Sequence, residues 1–166
     1  MGSRGGTFSV RFKIVKGFAN GGSYSEHVST NILKSDYKLL KNIGIEFARM
    51  GENVRANPDL HVKSKEYDMV YGELKGTKYY GKNPDIAVGN KFYEVESFVP
   101  PISKRKANNM FTRGLSQSNN VVLNNNKGFT ERYLKKMVYN RVRMGQNINE
   151  IWLYEKGKIR LLYKKQ

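Results

Sequence analysis

Three carboxylates lie close together in KNPDIAVGNKFYEVESF (residues 82–98). The dipeptide Gly89–Asn90 separates two strand-like runs by two residues, which is the spacing of a tight β-hairpin. In that register Asp85 falls opposite Glu94, and Glu96 returns to the same face two residues later. Directly opposed side chains have Cβ atoms about 5 Å apart, so their like charges repel.

A divalent cation would compensate these acids, because Mg²⁺ and Mn²⁺ prefer oxygen ligands. The first alternative is a neighbouring lysine or arginine, since the chain has 30 of them. The second is simple exposure of the acids to solvent. The hairpin by itself does not choose among the three.

A further carboxylate, Glu46, lies in DYKLLKNIGIEFARMG (residues 36–51), where apolar residues recur at helical spacing. At about 100° per residue Glu46 falls between Ile43 and Met50 on the apolar side of the helix. A carboxylate buried there needs a cation. The alternatives are a buried salt bridge or a place at the edge of the apolar stripe, with the carboxylate in water.

Periodicity predicts the elements that position these acids. TFSVRFKIV (7–15) alternates as a strand does, GFANGG (17–22) is rich in chain breakers, and residues 24–51 have a helical pattern broken near residues 35–36. Strands are predicted at 53–56, 65–71, 85–88, 91–98 and 121–124. Ser103 and Thr130 are predicted to cap helices that end near 117 and 145, and residues 150–155 and 158–163 form a closing hairpin.

This order predicts an α/β fold with a mixed central β-sheet flanked by helices. Residues 1–22 are predicted to be an N-terminal arm or accessory strand, and residues 23–166 a single domain. No apolar run approaches the roughly 18 residues of a membrane span, so a soluble protein without a membrane span is expected.

The composition points to a polyanionic partner. The formal net charge is +16, and there are no cysteines, which excludes disulfides, thiolate metal sites and a cysteine nucleophile. A basic surface of this kind concentrates nucleic acid. The alternatives are lysines that are merely solvated, or an acidic protein partner. The histidines His27 and His61 allow a metal-free ribonuclease as a minor alternative, although Glu26 and His27 suit a helix surface.

The inward Glu46, the Pro84–Asp85 dipeptide and the carboxylate on the partner strand resemble the PD-(D/E)xK nuclease superfamily. The segments GENVRANP (51–58), KNPDIAVGNKFYEVESFVPP (82–101), SQSNNVVLN (116–124) and NEIWLYEKGKIRLLY (149–163) occur in an order similar to that of particular toxin domains. These are the nuclease domains at the carboxyl ends of contact-dependent growth inhibition and related polymorphic toxins, several of which cleave transfer RNA. The resemblance covers about residues 36–164.

The resemblance implies a restriction-endonuclease-like fold and metal-dependent hydrolysis of phosphodiester bonds. Asp85 and Glu94 would ligate Mg²⁺ or Mn²⁺, and Glu46 would complete or orient the site. RNA, specifically tRNA, is the favoured substrate, with an acidic immunity protein as partner and delivery into the cytoplasm of a target bacterium. The alternatives are a DNA endonuclease of the same superfamily, an inactive nucleic-acid-binding module, or a basic structural domain.

One position departs from the motif, since EVE stands where ExK is expected. The cation then comes from the following helix, with Arg113 favoured over Lys104 and Lys106, or activity is lost. Glu96 would be an additional metal ligand or a general base. The predicted nucleic-acid-binding residues are Lys82, Lys104, Lys106, Gln117, Arg132, Lys136 and Arg143.

Overall fold

The computed structural model describes residues 11–166, so the first four residues of the strand predicted at 7–15 lie outside the described residues. The strands are β1 (Phe12–Gly17), β2 (Ser23–His27), β3 (Asn53–Ala56), β4 (Ile86–Val88), β5 (Lys91–Ser97), β6 (Asn120–Asn124), β7 (Glu150–Glu155) and β8 (Lys158–Lys164). The α-helices are α1 (Tyr37–Arg49), α2 (Tyr67–Tyr71), α3 (Lys104–Gln117) and α4 (Glu131–Arg143). The chain divides into two compact units that meet in sequence at residues 92 and 93.

The first unit contains β1 to β4, in which β1–β2 and β3–β4 pair antiparallel and β2–β3 pair parallel. Helix α1 packs closely on this sheet. A Cβ atom on Gly44 would come within 2.6 Å of the Tyr24 ring, so only glycine allows the approach. Gly51, with φ +96°, turns the chain from α1 into β3.

The second unit contains β5 to β8, with β5–β6 and β6–β7 parallel and β7–β8 antiparallel. Phe98, Phe111, Leu123 and Leu134 are fully buried in its core, with α3 and α4 contributing their apolar faces. Both helices begin as predicted. The Ser103 hydroxyl accepts a hydrogen bond from the Lys106 backbone amide. The Thr130 hydroxyl accepts one from the Tyr133 backbone amide.

The mixed α/β class is confirmed, because each unit combines parallel and antiparallel strand pairs with helices. The assignment to a restriction-endonuclease-like fold stays a prediction, as does the boundary at residue 22.

Two segment predictions are wrong. The first part of the helical segment at 24–51 is strand β2, which pairs on one side with β1 and on the other with β3. The strand predicted at 65–71 is helix α2, whose buried residues Tyr67, Val70 and Tyr71 follow the i, i+3, i+4 spacing of a helix.

Candidate functional site

Asp85 is half-buried at the residue before β4, and it is fixed there by the end of β3. The Asn57 amide donates to the Asp85 carbonyl oxygen at 3.0 Å. The Asn57 side-chain Nδ2 donates to the Pro84 carbonyl at 3.0 Å, and Asn83 Oδ1 accepts from the Leu60 amide at 2.8 Å. The tripeptides Asn57–Asp59 and Asn83–Asp85, both NPD, therefore bind each other.

A pocket of about 330 Å³ lies at this end of the first unit. It is formed by the turn after β2, the start of α1 and the residues after β3. Its lining residues are Ser29, Thr30, Asn31, Lys34, Asp36, Tyr37, Leu40, Ala56, Asn57, Pro58 and Asp59. Asn57 connects the pocket to Asp85 through the hydrogen bonds above.

Lys34 is surrounded by carboxylates in this region. Its Nζ lies 3.3 Å from Asp59 Oδ2 and 4.0 Å from Asp36 Oδ2. Burial lowers the pKa of Lys34, but Asp36, Asp59 and Asp85 raise it, and the resulting pKa is above the ordinary value. Lys34 therefore carries a positive charge at neutral pH.

Two acceptors in the pocket wall lack a hydrogen-bond partner among the described residues. They are Asp36 Oδ1 and Asn57 Oδ1, and both atoms are buried. A buried acceptor without a donor is costly, so each such atom in a native structure calls for an explanation. A cation or a hydrogen-bond donor on a bound molecule would satisfy an acceptor of this kind.

The donor chemistry of the pocket suits a hard divalent cation, since it consists of carboxylate and amide oxygens. Within residues 11–166, no group of three or more His, Cys, Asp and Glu residues is arranged to hold a metal ion. Mg²⁺ is commonly bound through one or two carboxylates together with waters and substrate phosphates. The residues present fit that mode of binding.

Glu46 forms an ion pair with a residue of its own helix. Its carboxylate lies 3.3 Å from Arg49 Nε on the same helix, and its side chain is 15% exposed. The buried face of α1 consists of Ile43, Gly44, Phe47 and Ala48, which leaves Glu46 at the edge of the apolar stripe. This arrangement matches the salt-bridge alternative, and the role of Glu46 at a metal stays a prediction.

At the start of α1, Asp36 brings a further carboxylate to the pocket. Asp36 shares the pocket with Asn57, whereas Gly44, in the next part of the helix, lies against Val54 at the other end of β3. The repeated NPD tripeptide is the signal that could have identified Asn57 and Asp59, because identical tripeptides at two strand ends suggest a shared site.

Glu94 and Glu96 lie in β5 in the second unit, where they pair with Val121 and Leu123 of β6. Both are half-buried. Glu96 lies against α3 at Gly114, where an added Cβ would come within 2.8 Å of the Glu96 Cγ atom. Arg113 is the exposed neighbour of this glycine. That Asp85 lies opposite Glu94 across a hairpin stays a prediction.

The predicted nucleic-acid-binding residues are largely on the surface. Lys104, Lys106, Arg132, Lys136 and Arg143 are exposed, while Lys82 and Gln117 are half-buried. The Lys104 Nζ lies 5.0 Å from the centroid of the Tyr133 ring. Their contacts with nucleic acid stay predictions.

The expectation of a helix-surface His27 is wrong. His27 lies in β2 and is 4% exposed, with Nε2 2.7 Å from Glu66 Oε1 and Nδ1 2.7 Å from Ser29 Oγ. The Ser29 amide also donates to Nδ1, so in the neutral ring Nε2 carries the proton and donates to Glu66. His61 is exposed in a loop, and its Nδ1 accepts from the Lys63 amide.

Across residues 11–166, no helix has both the length and the apolar character needed to cross a membrane. No protein-family model and no curated protein matches the sequence. Among solved structures, the fold is similar to that of a chain in a CdiA-CT/CdiI toxin and immunity complex from Burkholderia pseudomallei. The TM-score is 0.54 at 14% identity, over 83% of this chain and 91% of that chain.

Proposed function

We propose that this chain is a metal-dependent endonuclease, a toxin domain that hydrolyses phosphodiester bonds in RNA, with tRNA as the favoured substrate. The observation that carries the proposal is the environment of Asp85. This residue is anchored beside a pocket that contains further carboxylates, a charged lysine and two buried acceptors without partners among the described residues. The net charge of +16 supports a nucleic-acid substrate.

In this proposal Asp85 and Glu94 bind Mg²⁺ or Mn²⁺, and Glu46 completes or orients the site. A bound metal ion supplies Lewis-acid stabilisation of phosphoryl charge and lowers the pKa of its water. Glu96 accepts a proton from the attacking water or adds a ligand. Arg113 contributes positive charge.

Lys34 is a second candidate for the cation that the EVE sequence lacks. Because the surrounding carboxylates keep it protonated, Lys34 is suited to stabilising negative charge on the phosphate and is unsuited to acting as a general base. Its place among the pocket carboxylates favours it over Arg113, whose backbone carbonyl accepts a hydrogen bond from Ser116 Oγ.

The proposed partner is an acidic immunity protein, and the proposed destination is the cytoplasm of a target bacterium. The support is the fold likeness to a chain of a toxin and immunity complex, together with the basic charge of this chain.

The decisive experiment compares the wild-type protein with Asp85→Asn on total RNA and on plasmid DNA, each with Mg²⁺, Mn²⁺ or EDTA. We expect metal-dependent cleavage of RNA, with a loss of at least about 100-fold in the variant, because the substitution removes a charged ligand at nearly constant volume. The matched control is Asp68→Asn, an exposed aspartate of the same unit that is bonded to Tyr80 and Lys75.

If the protein cleaves DNA and does not cleave RNA, the substrate class is DNA. If neither polymer is cut while the wild type and Asp85→Asn bind nucleic acid equally, the protein is the inactive binding module. The replacement of the motif lysine by Glu96 is the observation that favours this alternative.

A further inference from the structure

A groove in the second unit brings amide, guanidinium and thioether side chains together. Its volume is about 550 Å³, within the range of about 300–1,000 Å³ typical of small-molecule sites. One wall is formed by α3 and the other by α4 with the turn that follows it. The lining side chains are Asn108, Met137, Asn140, Arg141, Met144 and Gln146.

The guanidinium group in this groove is held in place. Arg141 lies over the Phe111 ring, with its Cζ 4.9 Å from the ring centroid, and it donates through Nη2 to the Asn108 carbonyl at 2.9 Å. The Asn108 side chain donates to the Lys104 carbonyl and to the Tyr133 hydroxyl, each at 3.0 Å. Since these contacts join the two helices, the walls of the groove are formed before any ligand binds.

The remaining lining groups match the chemistry of a nucleobase. Asn140 and Gln146 carry amides, which donate and accept side by side as the edge of a base does. Met137 and Met144 provide flexible, polarisable thioethers that can pack against a planar ring. Met144 is 85% exposed, so its side chain is accessible to a ligand entering from solvent.

Positive charge borders the groove along one side of α4. Arg132, Lys136 and Arg143 lie on the flank of the helix next to the lining stripe, and all three are exposed. Arg143 donates to Asn140 Oδ1, which connects this basic strip directly to the groove. A polyanion lying on the strip would therefore present its attached groups to the groove.

We propose that this groove binds an unpaired nucleobase of a nucleic-acid strand whose phosphates lie along the basic strip of α4. The proposal deepens the proposed function, on which it rests, because it names the part of the substrate that the second unit holds. A duplex buries its base edges, so the groove selects single-stranded regions such as loops and ends.

The test measures binding of labelled oligonucleotides in EDTA, where metal-dependent hydrolysis is stopped. The probes are a single-stranded RNA of defined sequence, the same RNA with abasic positions, and both versions as DNA. The variants are Asn140→Ala and Gln146→Ala. The matched control is Asn109→Ala, an exposed asparagine of α3 outside the groove lining. Circular dichroism verifies that each variant is folded.

We expect each groove variant to weaken binding of the intact strand by about tenfold, the effect of losing contacts to one base. Binding of the abasic strand should remain within about twofold of wild type, since its phosphates still contact the strip. Equal weakening for intact and abasic strands, or no weakening for either, overturns the proposal. Weaker binding of the intact strand supports the proposal whether it is seen with RNA alone or with both RNA and DNA. The comparison of the two polymers shows whether the groove requires ribose.

This readout separates the inference from the proposed hydrolysis. Base-selective loss of binding in a protein that cleaves nothing would contradict the proposed function and leave the groove assignment standing. Normal cleavage with unchanged base binding in both variants would overturn the groove assignment alone.

Discussion

Gly114 is a glycine because the Glu96 side chain occupies the space beside it. An added Cβ atom would lie 2.8 Å from Glu96 Cγ and 3.5 Å from Val121 Cγ1. We expect Gly114→Ala to displace Glu96 and to destabilise the protein by about 1–3 kcal/mol, the usual cost of overpacking. Urea unfolding measures the free energy, and the cleavage assay shows whether displacing Glu96 alters activity.

The control is Gly72→Ala, at a position with nothing within 4 Å and φ of −57°. There the added methyl group should leave stability unchanged or raise it by up to about 1 kcal/mol, because alanine restricts the unfolded chain. Equal stability losses in the two variants would contradict the packing argument.

At the residue scale, the sequence predicted Asp85 as a site residue but did not predict which side chains surround it. The Pro84–Asp85 dipeptide before a strand was visible, whereas the proximity of Lys34 depends on a turn between β2 and α1 that has no strong pattern. Glu46 was placed inward because Met50 was counted in the apolar stripe, but Met50 is 50% exposed. Removing Met50 from the stripe moves its centre away from Glu46.

Helix α3 begins at a side-chain cap whose contribution can be measured. Ser103 Oγ accepts from the Lys106 amide at 3.1 Å. We expect Ser103→Ala to destabilise the protein by about 1 kcal/mol, because an amide at the first turn loses its acceptor. Ser103→Asp, which retains an acceptor, should remain close to wild type in the same urea titration; a loss as large as that of alanine would count against capping.

Arg160 of β8 connects the start of α4 to β7, through Glu131 and through Glu155 Oε1 at 3.1 Å. The hydrogen bond from Arg160 lowers the pKa of Glu131 below its ordinary value. A lowered carboxyl pKa contributes stability above the unfolded pKa, and that stability is lost as the pH falls through the folded pKa. Acidification below about pH 4.5 should therefore reduce stability more steeply in wild type than in Arg160→Gln.

The measurement is the urea midpoint between about pH 7 and about pH 3. Lys164→Gln is the matched control, since it removes one exposed charge from the far end of the same strand, where its cross-strand partner is Glu150 and not Glu155. Parallel pH profiles for wild type and Arg160→Gln would disprove the assignment.

At the element scale, prediction succeeded where local signals were strong. The caps at Ser103 and Thr130 and the turn at Lys156–Gly157 gave nearly correct boundaries for α3, α4 and the β7–β8 hairpin. Strand β2 was missed because its pairing with β3 comes from distant sequence, which local periodicity does not report. Helix α2 spans five residues, too few for a helical period to be distinguished from alternation.

The charge of the whole molecule predicts binding that depends strongly on salt. The logarithm of the binding constant for single-stranded RNA should fall linearly with the logarithm of salt concentration, by about 0.7 per phosphate neutralised. Replacing Arg132, Lys136 and Arg143 by Gln should reduce the magnitude of that slope by about 2. Fluorescence anisotropy titrations in EDTA at several salt concentrations measure this slope.

The control replaces Lys127, Lys158 and Lys164, which are also exposed, so that total charge falls equally. An equal change of slope in the two triple variants would show that overall charge, and not the α4 strip, accounts for binding.

For the molecule as a whole, the order of the predicted elements indicated the mixed α/β class, and composition predicted a basic surface. It could not predict the division into two units, because that division reflects which contacts are dense in space and leaves no mark in composition. The likeness to a chain of a toxin and immunity complex, at 14% identity, concerns the fold of the chain.

Strand β1 also bears on how the protein behaves in concentrated solution. Among residues 11–166, β1 pairs only with β2, and its register shifts between Ile14 and Lys16. In a flat strand, exposed apolar residues such as Ile14 and Val15 would favour pairing with a strand of another molecule. The irregular register and the flanking Lys13 and Lys16 oppose such pairing, so this strand protects the protein from aggregation through its outer edge.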